Sequence, residues 1–402
     1  MEKNCIYLDN NATTKVDPQV VEEMLPYLTD YYGNPSSMHS FGGQLAAPVR
    51  KAREQVAALL GADASEIVFT SCGTEGDNAA IRAALLAQPE KRHIITTQVE
   101  HPAVLNVCKQ LETQGYNVTY LSVNHQGLLD LNELEASLTG STALVTIMYA
   151  NNETGVIFPI EQIGARVKES GALFHVDAVQ AVGKIPFNLK TSTIDMLTIS
   201  GHKIHSPKGI GALYVRRGVR FRPLLIGGHQ ERGRRAGTEN VAGIVALGKA
   251  AELELQHLTA ATAREEKLRD RLETALLSQI PDCAVNGDIT QRLPNTTNIG
   301  FKYVEGEAIL LSLNKYGICA SSGSACTSGS LEPSHVLRAM GLPYTILHGS
   351  IRFSLSRYTT EAEIEQVIAV MPEIISRLRA LSPFKNDDAS WLQQQTQLVH
   401  HA

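Results

Sequence analysis

Lys203 lies in the stretch Ser200-Gly201-His202-Lys203-Ile204-His205-Ser206-Pro207-Lys208-Gly209, where an apolar run, Met196-Leu197-Thr198-Ile199, ends in a turn punctuated by Pro and Gly. Turns of that kind are where an α/β protein shows side chains to a ligand. A lysine held there can act as an amine and form Schiff bases with aldehydes, once burial or a nearby cation lowers its pKa from about 10.4. Left in solvent, it is an ordinary surface charge. Asp177 closes a second apolar run, Leu173-Phe174-His175-Val176-Asp177. A carboxylate in that position calls for a cationic partner or a strong donor. His101 precedes Pro102, which keeps it extended at a strand end, where an imidazole can stack on a flat ligand, move protons or cap the next helix. Cys326 sits in Ser321-Ser322-Gly323-Ser324-Ala325-Cys326-Thr327-Ser328-Gly329-Ser330, whose serines and glycines can neither bury nor immobilise it. Its thiol, with a reference pKa of about 8.5, needs a base or the substrate to become a nucleophile.

These residues need elements to position them. Ile67-Val68-Phe69-Thr70 reads as a buried strand, followed by Ser71-Cys72-Gly73-Thr74-Glu75-Gly76 and a helix over Asn78 to Leu86. Strand, Gly/Thr turn and helix N-terminus can hold a phosphate through free N–H groups and the helix dipole, although glycine also serves turn geometry alone. Further strands are expected at Ile94–Thr97, Val118–Leu121 and Ala143–Ile147, with helices at Ala103–Leu111 and Ile160–Ser170. That alternation, from residue 67 to about 215, implies a mostly parallel sheet covered by helices on both faces. Gly227 to Asn240, rich in Gly and Arg, is either a solvated loop or an arm reaching an anion. Val241 to Gln279 is helical and long enough to connect two lobes. Beyond Pro281 the strands at Asn298–Phe301, Ile318–Ala320 and Ser350–Leu355 and the helices at Glu307–Asn314 and Glu361–Leu381 imply a smaller α+β lobe. From Lys385 the chain is polar and Gln-rich, and a mobile tail is expected.

At 402 residues and 43% hydrophobic content the chain can bury a large core, and a net charge of -5 leaves no footprint for nucleic acid or an anionic membrane. With no membrane-spanning run and no signal-peptide pattern, a cytoplasmic location is expected. The six cysteines show no CxxC spacing, against both a disulfide framework and a structural zinc site.

A Schiff-base lysine, a carboxylate for a pyridinium nitrogen, a histidine for the ring face and a Gly-Thr helix start for a phosphate together describe a site for pyridoxal 5'-phosphate. Beside such a site Cys326 gains a role, since its thiol can attack a sulfur atom on the bound amino acid and keep it as a persulfide. Here the sequence resembles the cysteine desulfurases of the NifS type, within the class V aminotransferase fold. The resemblance covers about residues 6–380. It rests on Tyr7-Leu8-Asp9-Asn10-Asn11-Ala12-Thr13-Thr14, Glu100-His101-Pro102, Asn151-Asn152-Glu153-Thr154-Gly155, His175-Val176-Asp177-Ala178-Val179-Gln180, Ser200-Gly201-His202-Lys203 and the Cys326 loop. Arg234-Arg235-Ala236-Gly237-Thr238-Glu239-Asn240 looks more like the NifS branch than the housekeeping IscS branch, and residues after about 383 do not resemble the tail with which housekeeping relatives dock a scaffold.

The resemblance implies fold type I of the PLP-dependent transferases, with a large domain over 14–260, a small α+β domain from 1–13 and 261–384, and a tail over 385–402. It implies that Lys203 carries the cofactor, His101 stacks on its ring, and Asp177 and Gln180 hold the pyridine nitrogen and phenolic oxygen. Gly73, Thr74, Ser200 and His202 would hold the phosphate, with Thr238 contributed by the second subunit of a homodimer. Asn152 and Arg352 would bind the substrate carboxylate, a role that suits a guanidinium fork. Cys326 would accept the sulfur of L-cysteine, leaving L-alanine, for delivery to an iron–sulfur scaffold protein in nitrogenase maturation. It would also ligate a cluster transiently on that scaffold. Three alternatives remain at this point: a selenocysteine lyase or related PLP lyase, a metal-dependent hydrolase using His202, His205 and Asp177, and a non-catalytic sulfur or cluster carrier.

Overall fold

The computed structural model describes residues 5–322 and 333–382, so Cys326 and the expected tail lie outside the described residues. The described strands are, in chain order, β1 (Ile6–Tyr7), β2 (Ile67–Thr70), β3 (His93–Thr97), β4 (Asn117–Leu121), β5 (Thr142–Met148) and β6 (Leu173–Asp177). They continue with β7 (Met196–Ser200), β8 (Gly211–Val215), β9 (Cys283–Val285), β10 (Thr296–Phe301), β11 (Ile318–Cys319) and β12 (Ser350–Ser354).

Seven of them form one sheet in the order β2-β8-β7-β6-β5-β3-β4. Pairing is parallel from β4 through β7 and antiparallel where β8 inserts between β7 and β2. The strands read as continuous apolar runs because both faces are covered. Alternate residues go to opposite sides: Ile67 and Phe69 join the core beneath the helices Ala46–Leu60, Ile160–Ser170 and Val241–Gln279, while Val68 packs with the helices Gly73–Ala87 and Pro102–Thr113.

A third apolar cluster gathers Ile6 and Leu8 with Ile299, Phe301, Ile318, Ile351, Phe353 and the helix Glu361–Leu381. The 39-residue helix Val241–Gln279, about 58 Å long at 1.5 Å per residue, gives its first half to the large core and its second half to this one. It starts where Asn240 accepts a hydrogen bond from the Gly243 N–H at 3.1 Å.

Two helix boundaries differ from the sequence reading. Pro18 to Leu28 also reads as helical from the sequence, and it divides into Pro18–Met24 and Pro26–Thr29, because Pro26 has no N–H to continue the first segment and instead opens the second. The helix expected from Asn78 starts at Gly73, which brings Gly73 and Thr74 into its first turn. Among the described residues, no helix is long and apolar enough to cross a membrane.

Candidate active site

The parallel strands all end at one edge of the sheet, so the segments that leave them meet there. β6 delivers Asp177, and its neighbour β7 delivers Ser200 and then Lys203 on a short 3-10 turn, Gly201–Lys203. β5 runs on to Ala150 and Asn152, the segment after β3 brings His101, and β2 leads into Gly73 and Thr74. All of these, with Asp77, Met148, Val179 and Gln180, line one cleft of about 460 Å³.

Lys203 is held by the turn that comes after β1. Its Nζ donates to the carbonyl oxygens of Asn11 at 2.5 Å and Ala12 at 2.9 Å. The same turn clasps the preceding residue: the Thr14 N–H and hydroxyl donate to the His202 carbonyl at 2.9 and 3.0 Å, and His202 Nδ1 lies 3.2 Å from Thr13 Oγ1. His205, a candidate metal ligand by sequence, turns Nδ1 to the Lys15 carbonyl at 2.8 Å. Among the described residues, no group of three or more His, Cys, Asp or Glu is arranged to hold a metal ion.

Asp177 receives the strong donor its position demands, the Val179 N–H at 2.9 Å on Oδ1. Burial raises its pKa to about 6, against the pull of that N–H and of the Lys203 charge. Near it lies Asp77, one helical turn beyond Gly73. Burial and then the charge of Asp177 lift this carboxyl well above the usual range. His175, two residues before Asp177 and on the same face, lies between Thr146 Oγ1 at 2.8 Å and Thr198 Oγ1 at 2.9 Å. Burial lowers its pKa to about 3, so it is a neutral ring.

His101 both caps a helix and faces the cleft. Its Nδ1 accepts the Ala103 N–H at 3.1 Å, which assigns the ring proton to Nε2. Burial, then the Lys203 charge, brings its pKa down to about 4. Cys72, which precedes Gly73, supplies no side-chain cap, so the N–H groups of this helix's first turn are left for another acceptor. Gly73 is required there: a Cβ would come within 2.9 Å of Val179 Cγ2. Buried polar atoms also converge here without partners: Ser200 Oγ, Gln180 Oε1 and Asp77 Oδ1.

Among the described residues, three expected ones do not line this cleft: His202, which sits next to Lys203, Thr238 and Arg352. Thr238 lines a different one, with Thr70, Gly209 and Arg235. Arg352, buried on β12, donates from Nη2 to Asp9 Oδ1 at 2.6 Å and from Nη1 to the Asn152 carbonyl at 2.9 Å, so it reaches the cleft only through Asn152. Cys326 lies outside the described residues, but those on either side of it attach to the same edge. Ser321 bridges to Arg352, Ser334 Oγ donates to Glu153 Oε2 at 2.5 Å, and His335 Nε2 donates to the Glu100 carbonyl at 2.9 Å. The sequence reading passed over Asp77. Its signal was spacing, four residues beyond Gly73 and so on the same face of the helix.

The profile of the family described as Aminotransferase class-V matches residues 6–367. The chain belongs to the class-V aminotransferase family. Within this family, the chain is 86% identical over 396 residues to the cysteine desulfurase of Nostoc sp., covering 98% of this chain and 99% of that one. It is 59% identical over 380 residues to the cysteine desulfurase NifS of Azotobacter vinelandii, covering 94% of each. Among solved structures, a NifS-like protein of 42% identity superposes with a TM-score of 0.88, covering 93% of this chain and all of that one. The class-V family thus has here a NifS-type member with the fold type I α/β architecture that the strand–helix alternation implied.

Proposed function

We propose that this chain takes sulfur from L-cysteine, leaving L-alanine and a persulfide on Cys326, with pyridoxal 5'-phosphate held in the cleft by Lys203. The observation that carries this reading is the cleft itself. An amine, a buried carboxylate, an imidazole and an uncapped helix start meet in one space, beside buried polar atoms that lack partners. Buried polar groups in folded proteins are nearly always bonded, so such atoms await a ligand. The residues fit a phosphorylated pyridine aldehyde. The first turn at Gly73 and Thr74 with Ser200 Oγ suits the phosphate, with His202 beside it. Gln180 suits the phenolic oxygen, and the Asp177 oxygen not used by Val179 suits a protonated ring nitrogen. When bound, this cofactor supplies an aldehyde for the Lys203 amine and an electron-accepting ring for the electrons released at the substrate's α-carbon.

The protein's own groups do the rest. Asp177 would keep a proton on the ring nitrogen, and the neutral His101 would pack against the ring. Asn152 and Arg352 receive the substrate carboxylate; for Arg352, this means sharing or yielding its bond to Asp9. Cys326 exchanges the Cβ–S bond of L-cysteine for an S–S bond, and the sulfur then passes to an iron–sulfur scaffold for nitrogenase metalloclusters. Cys326 would be a transient cluster ligand in that transfer. Thr238, which lines a separate cleft with Thr70 and Ser71, suits the phosphate of a second copy, and the exposed Tyr32, Met38 and Ile226 favour a homodimer.

The test is spectroscopic. The purified protein is expected to carry a visible absorption band that borohydride bleaches, with the label on the Lys203 peptide. Cys326→Ala should keep the band and lose sulfide release. Absence of the band overturns the cofactor assignment, and normal sulfide release by the variant overturns the persulfide.

A further inference from the structure

The turn after β1 contributes no group to the chemistry described so far, yet it makes two close contacts to Lys203. Asn11 is a hub. Its carbonyl accepts both Lys203 Nζ at 2.5 Å and Gln180 Nε2 at 3.0 Å. Its side chain, almost wholly buried, donates from Nδ2 to Thr296 Oγ1 at 2.9 Å and to the Asn152 carbonyl at 3.2 Å, and accepts Asn295 Nδ2 on Oδ1 at 3.2 Å. Its N–H donates to Ser354 Oγ at 2.9 Å. A side chain bonded at both its donor and its acceptor end fixes the peptide planes on either side of it. Here that aims two consecutive carbonyls, those of Asn11 and Ala12, at one amine.

The proposed function, on which this inference rests, requires that the lysine let go. When the substrate's amine takes its place on the cofactor, the displaced lysine amine stays in a mostly buried site, where a charge without acceptors is costly. Two carbonyls at hydrogen-bond distance meet that need, since bonds from a charged donor are the stronger kind. We infer that the Asn11–Ala12 turn is the receiving site for the Lys203 amine during the substrate-bound part of the cycle. Asn11 is its positioning residue. The contact with Gln180 ties the two events together: the carbonyl that receives the lysine also holds the amide whose other end faces the cleft. Asparagine is needed because the position uses a donor and an acceptor at once, whereas aspartate cannot donate and alanine does neither.

L-Alanine, the product of the proposed reaction, binds without further chemistry and is the probe. Its titration into holoenzyme is followed by the visible absorption change. Asn11→Ala and Asn11→Asp are expected to raise its apparent Kd about tenfold, because the displaced lysine then lacks its acceptors. In a Lys203→Ala background, reconstituted with pyridoxal 5'-phosphate, there is no amine to receive, and adding Asn11→Ala should change the affinity by less than about twofold. An equal penalty with and without the lysine would overturn the inference, since Asn11 would then act on the substrate carboxylate through Asn152. So would an unchanged affinity in the single variants. Asn295→Ala, which removes the donor to Asn11 Oδ1 along with the Asn295 bonds to the Leu355 carbonyl and the Thr296 hydroxyl, should give a smaller loss of the same kind, and it serves if the Asn11 variants fail to fold. A wild-type protein lacking a Lys203-linked band would sink the function and this site together, whereas a normal band with either contrary result would sink this site alone.

Discussion

Two regions bury several carboxyl groups each, and they treat them in opposite ways. Between the cores, Asp17 accepts Arg357 Nη2 at 2.7 Å, the Tyr358 hydroxyl at 2.5 Å and the Gln19 N–H at 2.8 Å, while Glu254 pairs with Arg357 Nη1. Lys184 is half-buried, its charge near Glu254 and Glu265. Although burial works the other way, the Tyr358 hydroxyl and Arg357 hold the Asp17 carboxyl below its ordinary range. Asp77 and Asp177 at the cleft, and Glu100 near them, are equally buried, yet among the described residues no arginine reaches them. Asp77 Oδ1 and Glu100 Oε2 lack hydrogen-bond partners. The first region spends its buried charge on holding elements together. The second leaves capacity unused, and in a folded protein that marks where a ligand's atoms belong.

The comparison is tested most severely by its two lysines. Lys203→Ala is expected to lower alanine formation from L-cysteine by about 10,000-fold or more, with little change in the urea midpoint of the apoprotein. Asp177→Asn should rank next, at about a hundredfold to a thousandfold in kcat, since it removes the charge that keeps a ring nitrogen protonated. Lys184→Ala should do the reverse. Taking a cation from beside Glu254 is expected to cost about 2 kcal/mol of unfolding free energy, while turnover per folded molecule stays within about twofold. If Lys184→Ala abolished turnover in a protein of normal stability, the division between the two regions would be wrong.

The same contrast explains what could be read without coordinates. β6 and the helix Val241–Gln279 were legible because an unbroken apolar run or a long Ala/Leu/Glu/Arg pattern allows few other states. The start of the helix at Gly73 was not, since Gly, Thr and Asp are weak helix formers and only packing against Thr198 and Val179 draws them in. Thr198 Cγ2 would stand 2.6 Å from a Cβ at position 76, so Gly76 is what lets strand and helix approach. Lys203, Asp177 and His101 stood out because a reactive side chain at the end of an apolar strand is conspicuous. Asp77 lies within a helix, where burial is set by tertiary packing. Asn11 did not stand out, since the atoms it joins come from Asn152, Lys203, Asn295 and Ser354, far away in sequence.

The smallest expected effect concerns pH, and the buried histidines and the buried glutamates should oppose each other in it. Burial lowers the pKa of His101, His202 and His205 to about 4 and that of His175 to about 3, against about 6.5 in the unfolded chain. Below pH 6.5 the unfolded chain takes up protons that the folded one refuses. The stability these rings contribute is therefore complete above that pH and falls as the pH drops toward 4. Burial pushes the Glu100 carboxyl up to about 8 and, against the pull of Lys184, that of Glu265 up to about 8. Here the folded chain holds protons that the unfolded one has released, so stability is complete below about pH 4.5 and is lost as pH rises toward 8. Glu265→Gln isolates the alkaline limb, because an amide has the shape of a protonated carboxyl and cannot titrate. Urea unfolding should give a variant close to wild type at pH 5.5 that loses about 1 kcal/mol less than wild type between pH 7 and 8. Identical pH slopes for the two proteins would mean that Glu265 is ionised when folded, paired with Lys184 as fully as Asp17 is with Arg357.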